Sequence, residues 1–264
     1  MRRIAFQSLV YYQFHNLVPY PEVAHGVFTR LGGHSRPPWA GLNTGHGVGD
    51  DPAAVEANHR LICGSLGFQL PDIASPHQVH GTAVGIVNEQ DKGRVRPRTD
   101  ALATAAAGVL LMLRFADCVP IMLYDPRQRA IGLAHAGWRG TVAGVAQAAV
   151  GAMERALGCR PPDIVAGIGP AIGPCCYEVG EEVTDVVREA LPSVAQLLTR
   201  RSNGRWHLDL WAANRHQLAQ SGVRQIEVAA ICTACHTDEW FSHRAEHGTT
   251  GRFGAAIGLA KGSL

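Results

Sequence analysis

The stretch from Ala101 to Tyr124 is the most apolar part of the chain, yet Arg114, Asp117 and Pro120 interrupt it. No run reaches the roughly 18 to 20 apolar residues a membrane span needs. The stretch instead reads as two strand-length runs, Gly108 to Leu113 and Pro120 to Tyr124, joined by a polar turn. Runs of similar length recur at Ala130 to Ala134, Ile164 to Ile168 and Ile226 to Ile231. Helical spacing of apolar residues appears over Pro52 to Leu66, Thr141 to Leu157, Gly180 to Leu191 and Leu210 to Ser221. Thr141 and Asp209 stand where N-caps belong, and Gly158 and Gly222 where C-caps belong. Short strands interleaved with amphipathic helices predict an α/β (α+β) fold, a layered mixed β-sheet flanked by helices.

No internal repeat or low-complexity linker divides residues 1–264, so a single domain is expected. The most polar connector, Asn88 to Asp100, reads as a surface loop. A hydrophobic content of 46% is ample for a core. The formal net charge is only +2, and its 24 Lys and Arg residues are scattered, which argues against a nucleic-acid track and for a small-molecule partner. Arg2 and Arg3 precede a part-apolar run that Gln7 and Gln13 interrupt, with no small-residue cleavage site following, so export is not expected. The seven cysteines are odd in number and show no disulfide-scaffold spacing. That pattern suits a reducing cytoplasmic setting in which thiols serve as ligands or nucleophiles.

Three segments carry the candidate chemistry. In RFADCVPIMLY, Cys118 falls at a turn between strands; a lone cysteine is more often a buried structural residue, so its neighbours decide the reading. One strand later the chain reads HAGWRGTVAGV, which brings His135 to a strand end. There Gly137 and Gly140 permit close backbone approach, and Arg139 offers a forked donor for phosphate or carboxylate. The bland alternative is an ordinary strand-to-helix turn with a surface arginine. In PHQVHGTAV, either His77 or His80 can face the site. Two imidazoles and one thiolate would leave the fourth position of tetrahedral zinc open, as catalytic zinc requires. Copper accepts the same donors, but a blue-copper centre wants a weak axial ligand, and only Met112 and Met122 lie near Cys118 in sequence. Zinc ranks above copper.

CTACH, Cys232 to His236, matches the covalent haem pattern but follows the strand-like EVAAI in a chain not expected to be exported, so a packed strand end is preferred. A structural zinc site there would need a second ligand pair, for which His243 or His247 is available. GIGPAIGPCCYEVG, Gly167 to Gly180, is a turn-rich loop suited to an anion or nucleoside pocket, although it lacks a phosphate-loop lysine. Its adjacent Cys175 and Cys176 are poor partners for a mutual disulfide. Phe28 to Gly45 is a long Gly- and Pro-containing loop carrying Arg30, Arg36 and Asn43, and loops of such length are often functional.

Taken in order, FTRLGG, GLNTG with VGDDP, QVHG, TDAL, ADCVPIMLYDP, GLAHAGWRGT, GIGPAIGPCCYEVG, HLDLWAANRHQL, and CTAC with FSHR and TGR run through nearly the whole chain. With these motifs the chain resembles the laccase-domain purine nucleoside phosphorylases, formerly labelled polyphenol oxidases and described as having a multicopper-oxidase-like domain. The resemblance implies a catalytic Zn2+ site held by His80, Cys118 and His135, with Cu2+ the less favoured ion. It also implies substrate contacts from Arg30, Asn43 and Arg139, and a fold similar to the catalytic domain of cytotoxic necrotizing factor toxins. The implied activity is phosphorolysis of adenosine, inosine and methylthioadenosine together with deamination of adenosine. Deamination at purine C6 also needs a proton shuttle, for which Glu178 is a loop candidate. The chain departs from the family pattern at GHGVGDDP, where His46 stands one place earlier than the usual histidine, and at FSHR, where His243 replaces an aromatic residue. Both departures bear on substrate preference.

Other classes remain open at this stage. One is a metal-free cysteine hydrolase or deamidase with Cys118 as nucleophile and His135 as base. Another is a copper-dependent phenol oxidase, and a third is a noncatalytic nucleotide-binding protein.

Overall fold

A computed structural model describes residues 1–191 and 195–261. Among the described residues five α-helices, α1 (Pro52–Ser65), α2 (Trp138–Val142), α3 (Val145–Leu157), α4 (Glu181–Ala190) and α5 (Leu210–Gln220), accompany three sheets. The seven-stranded sheet runs in the spatial order Arg2–Phe6, Leu9–Gln13, Val23–Phe28, Phe253–Leu259, Leu110–Phe115, Ile73–Pro76, Val95–Arg96. The six-stranded sheet runs Gln225–Val228, Val165–Ile168, Val119–Asp125, Ala130–Ala136, Ala101–Thr104, Val84–Ile86. Both are mixed: Ile73–Pro76 lies parallel to Leu110–Phe115, and Val165–Ile168 lies parallel to Gln225–Val228 but antiparallel to Val119–Asp125. A small third sheet pairs Glu178–Val179 and Leu198–Arg200 with Trp206–Leu208. The mixed layered architecture is therefore as expected.

Strand alternation explains the layering. In Val119–Asp125, Val119, Ile121 and Leu123 pack under α3 and α5, whereas Met122 and Tyr124 face the other way. In Leu110–Phe115, Leu111, Leu113 and Phe115 meet that second face, while Leu110 and Met112 pack beneath α1. With a side-chain period of two, every such strand serves two cores at once. The layers thus succeed one another as helix, sheet, sheet, helix. On α3, Val145, Ala146, Ala149, Val150 and Met153 form the apolar stripe that covers the six-stranded sheet.

Several boundaries shift for physical reasons. The expected helix from Thr141 to Leu157 is two helices, because Gly144 sits at φ 87° between α2 and α3. Thr141 is not a cap: it lies inside α2, and its hydroxyl and carbonyl accept from Asn214 and Gln217. Asp209 does cap α5, accepting from the Ala212 N–H at 2.9 Å. Gly158 closes α3 at φ 69°. The strand expected from Ile226 to Ile231 stops at Val228, since Ala230 turns the chain at φ 52°. Asn88 to Asp100 is more ordered than a plain loop, with a short 3-10 turn at Glu89–Asp91 and an edge strand at Val95–Arg96.

Two histidines lie in these cores as neutral rings. His25 accepts from the Phe14 N–H through Nε2 at 3.0 Å, and His59 meets the Thr44 carbonyl through Nε2 at 3.0 Å. Burial pushes both down from 6.5 to about 4. Between those values the unfolded chain binds more protons than the folded one, so stability is fully present above pH 6.5 and falls as the pH drops toward 4. The expected loss is on the order of 3 kcal/mol for each ring. Urea midpoints measured from about pH 7 down to about pH 4.5 should fall steadily, and a flat profile would contradict the neutral-ring assignment.

Candidate active site

Cys118 immediately precedes the strand Val119–Asp125, at a turn where Asp117 takes φ 80°. A non-glycine residue in that region needs outside support. The Asp117 carboxylate supplies it, accepting from the Thr233 hydroxyl at 2.7 Å and the Arg244 N–H at 2.7 Å, while its carbonyl accepts from the Ile172 N–H. His135 lies near the end of Ala130–Ala136, in register with Pro120 on the neighbouring strand. Alternation turns its ring toward the space between the two large sheets, 5.4 Å from the ring of Phe115. His80 comes from the loop after Ile73–Pro76 and also has a left-handed backbone, φ 61°. The His80 and His135 ring centroids are 4.8 Å apart, and the donor atoms of His80, Cys118 and His135 all lie within 4.8 Å of one another. His77 lines the same cavity but stands outside this trio.

One buried carboxylate holds the arrangement. Asp100 accepts from the backbone N–H groups of Val79, His80 and Gly81 at 3.1, 2.8 and 2.7 Å, and its Oδ1 lies 3.0 Å from His135 Nδ1. It thereby fixes the His80 turn and leaves His135 Nε2 for the centre. This is the usual outer-shell role of a carboxylate behind a metal-binding histidine. Two nitrogen donors, one sulfur donor and an orienting carboxylate form a set that fits a divalent zinc-like ion. Without an ion, burial would raise the Cys118 thiol, but His135 and His80 outweigh it and bring it down to about 6. Burial would lower His135, but Cys118 and Asp100 outweigh it and hold it at about 9. The metal-free pair is thus a thiolate beside an imidazolium.

Gly137 shows how tightly the site is built. A Cβ there would stand 2.8 Å from His80 Cδ2 and 3.0 Å from Cys118 Sγ. Its φ of −72° suits alanine, so Gly137→Ala should crowd the trio without straining the backbone. We expect this variant to retain about the parent melting temperature and to lose at least about tenfold in metal affinity. Unchanged affinity in a competition titration with a chelator would contradict the packing.

The trio borders a cavity of about 770 Å³, within the range of small-molecule sites. Arg114, Arg244 and Arg252 line it, and Asp117 is its one carboxylate among the described residues. Arg114 is anchored by Nε to the Thr44 carbonyl at 3.0 Å and by Nη2 to Ser75 Oγ at 3.3 Å. Arg252 is held by carbonyls of Thr250 and Gly251. Tyr177 forms another part of the wall, with the Arg244 guanidinium 5.3 Å from its ring centre. His46 and His243, the departures from the family pattern, also line the cavity.

The expected substrate contacts are placed differently. Arg30 is engaged by the Thr237 carbonyl and the Glu246 carboxylate at 2.9 Å each, and stacks over Phe241. Asn43 is fully buried; its Oδ1 accepts from the Gly45 and Arg252 N–H groups, so it supports the cavity wall from behind. Arg139 is exposed and lies over the ring of Trp138. None of the three is among the cavity-lining residues. Glu178 pairs with Arg205 and borders a separate depression. Met112 and Met122 are buried in two different cores rather than at the site. Asp100, Arg114, Asp117, Arg244 and Arg252 are the site residues that sequence reasoning did not single out. Arg114 and Asp117 left a signal as charges that break an apolar run, and Asp100, Arg244 and Arg252 stand within the quoted motifs TDAL, FSHR and TGR.

Comparison with known proteins adds an independent line. Residues 24–260 match the family model described as multi-copper polyphenol oxidoreductase laccase. The chain is 43% identical over 250 residues to purine nucleoside phosphorylase YlmD of Geobacillus stearothermophilus, covering 91% of each chain. It is 42% identical to a purine nucleoside phosphorylase of Deinococcus radiodurans, covering 90% of each. The solved structure of YlmD from Geobacillus stearothermophilus superposes with a TM-score of 0.91 at 40% identity, covering 98% of both chains.

Proposed function

This chain belongs to the multi-copper polyphenol oxidoreductase laccase family, and we propose that it is a zinc-dependent enzyme that cleaves purine nucleosides by phosphorolysis. The observation that carries this reading is the convergence of His80, Cys118 and His135 with three arginines around one cavity. The relatives' printed names supply the substrate class.

In phosphorolysis a phosphate oxygen bonds to ribose C1′ as the C1′–N9 bond breaks, and the electrons of that bond pass to the purine, which takes up a proton. Arg114, Arg244 and Arg252 suit a phosphate held in line behind the ribose. Arg114, largely buried and anchored to the Thr44 carbonyl, would hold an anion more strongly than a freely solvated guanidinium would. Arg30 and Asn43 act through the walls they brace, whereas Arg139, exposed over Trp138 and outside the cavity lining, has no contact role in this reading. His46, His77 and His243 are the candidates to deliver a proton to the departing base. When bound by His80, Cys118 and His135, a divalent zinc ion supplies Lewis acidity. Zinc is favoured over copper because no methionine lines the cavity among the described residues.

Adenosine, inosine and methylthioadenosine are the proposed substrates, with adenosine deamination as a side activity. The absence of glutamate from the described lining favours phosphorolysis over deamination, since zinc deaminases use a glutamate as the proton shuttle. Cytoplasmic residence and a single catalytic domain over 1–264 belong to the same reading; no helix among the described residues is long and apolar enough to cross a membrane.

A second reading is favoured by one observation. Asp100, His135 and Cys118 form a carboxylate–imidazole–thiolate series, the arrangement of a metal-free cysteine hydrolase. Incubating the purified protein, with its metal content measured, with adenosine plus phosphate separates the two. Adenine with ribose 1-phosphate, lost on chelation and restored by zinc, supports phosphorolysis. No turnover in zinc-replete protein overturns it, and hydrolysis that survives the chelator moves the assignment to the cysteine enzyme.

A further inference from the structure

The structure gathers a second group of soft donors that the reaction above does not use. Cys175 and Cys176 of the GIGPAIGPCCYEVG loop meet Cys232 and Cys235 of CTACH, and all four sulfurs lie within 4.8 Å of one another. The second ligand pair that the CxxC segment requires is therefore supplied by Cys175 and Cys176 rather than by His243 or His247. All four are free thiols. Cys235 Sγ is 3.5 Å from Cys175 Sγ and 3.3 Å from Cys176 Sγ. Those separations far exceed a disulfide bond of about 2.05 Å. They approach the roughly 3.8 Å edge of a tetrahedron of sulfurs around zinc, given Zn–S distances of about 2.3 Å.

The backbone is prepared for the same purpose. The two loops are joined by a parallel bridge between Ala171 and Cys232, with Ala171 donating to the Ile231 carbonyl and Thr233 donating to the Ala171 carbonyl. The Gly173 N–H points at Cys232 Sγ, 3.2 Å away, an amide donor of the kind that stabilises a thiolate. Cys232 is buried while Cys175 and Cys235 are exposed, so an ion has both an anchored floor and a route of entry.

We propose that Cys175, Cys176, Cys232 and Cys235 form a closed tetrathiolate site for a structural zinc ion, distinct from the His80, Cys118 and His135 centre. Each thiol releases its proton on binding. The ion clamps the loop that ends at Tyr177, a wall of the cavity, onto the segment whose Thr233 holds Asp117 beside Cys118. Its role is to position those groups, and it does not depend on the purine reading.

The test compares zinc content per chain in the parent and in Cys175→Ser/Cys235→Ser, each with and without Cys118→Ala. Loss of one zinc equivalent on the double serine change, in both backgrounds, is the expected result. Equal zinc content in a variant with parent-like circular dichroism overturns the proposal. A second measurement uses no cysteine variant of this cluster. Zinc added to metal-free Cys118→Ala protein should shield four thiols from a maleimide, those of Cys175, Cys176, Cys232 and Cys235. Cobalt added to the same metal-free protein in place of zinc should give intense thiolate-to-cobalt charge-transfer absorption. No shielding and no charge-transfer band, or isolation of the chain with these cysteines oxidised and metal-free, overturns it.

Discussion

Cys118→Ala should abolish phosphorolysis while leaving the fold intact. Cys118 is the sulfur donor of the trio and lies within 4.8 Å of both imidazole donors, so on the proposed reading the change removes one of three candidate ligand atoms at a stroke. Loss of an outer-shell partner commonly costs ~10- to 100-fold in metal affinity or activity, and loss of a direct ligand should exceed that range. The folding cost is smaller, because Cys118 is only partly buried and sits at a turn rather than deep in a core. Zinc content, thermal melting and kcat/KM with adenosine and phosphate decide the matter together. Parent-like turnover by a zinc-free Cys118→Ala chain would remove the metal from the mechanism. Parent-like purine binding by the variant, with no turnover in the parent either, would leave a binding protein.

Asp100→Asn should be nearly as damaging, although Asp100 belongs neither to the donor trio nor to the described cavity lining. Its two oxygens receive three backbone N–H groups and the His135 ring, and it is fully buried. Hydrogen bonds from His135, Gly81 and Val79 outweigh the effect of burial and hold its carboxyl below the usual carboxylate value, so it is a carboxylate at neutral pH. An amide keeps one acceptor oxygen and turns its NH2 toward groups that are themselves donors. The expected costs are about 3 kcal/mol of stability and ~10- to 100-fold in zinc affinity. The accompanying signature is a shift in the pH dependence of zinc uptake, because His135 loses the charge that favours its protonation. A variant with reduced melting temperature but unaltered zinc affinity would show that Asp100 serves only the fold.

The same pair of residues shows where sequence reasoning reached and where it stopped. Cys118 and His135 were legible because Pro120 to Tyr124 and Ala130 to Ala134 alternate as strands, and a short connection between them forces both residues to one end. The choice between His77 and His80 was not legible in the residues themselves. In the structure it is His80 whose donor atom lies near those of Cys118 and His135, on a left-handed turn that Asp100 stabilises from twenty residues downstream. Arg114 looked like a flaw in an apolar run, yet its backbone belongs to a core strand while its side chain reaches the cavity. The helix break at Gly144 was hidden because apolar spacing continues through it. Phe253–Leu259 escaped notice as a strand because Gly254 and Gly258 dilute its pattern. Gly258 is required there, since a Cβ would stand 2.5 Å from the Phe68 ring, while one at 254 would press on Ile62 and Thr44 at 3.2 Å.

That last strand governs the order in which the molecule can be made. Phe253–Leu259 pairs with Val23–Phe28 on one side and Leu110–Phe115 on the other, near the middle of its sheet. A nascent chain emerging from the ribosome therefore carries two unzipped β edges until residue 259 has left the exit tunnel, and the apolar faces behind them stay open for as long. Stalled chains that stop short of Phe253 should remain sensitive to protease and require chaperone cover, while chains released just beyond Leu259 should snap shut.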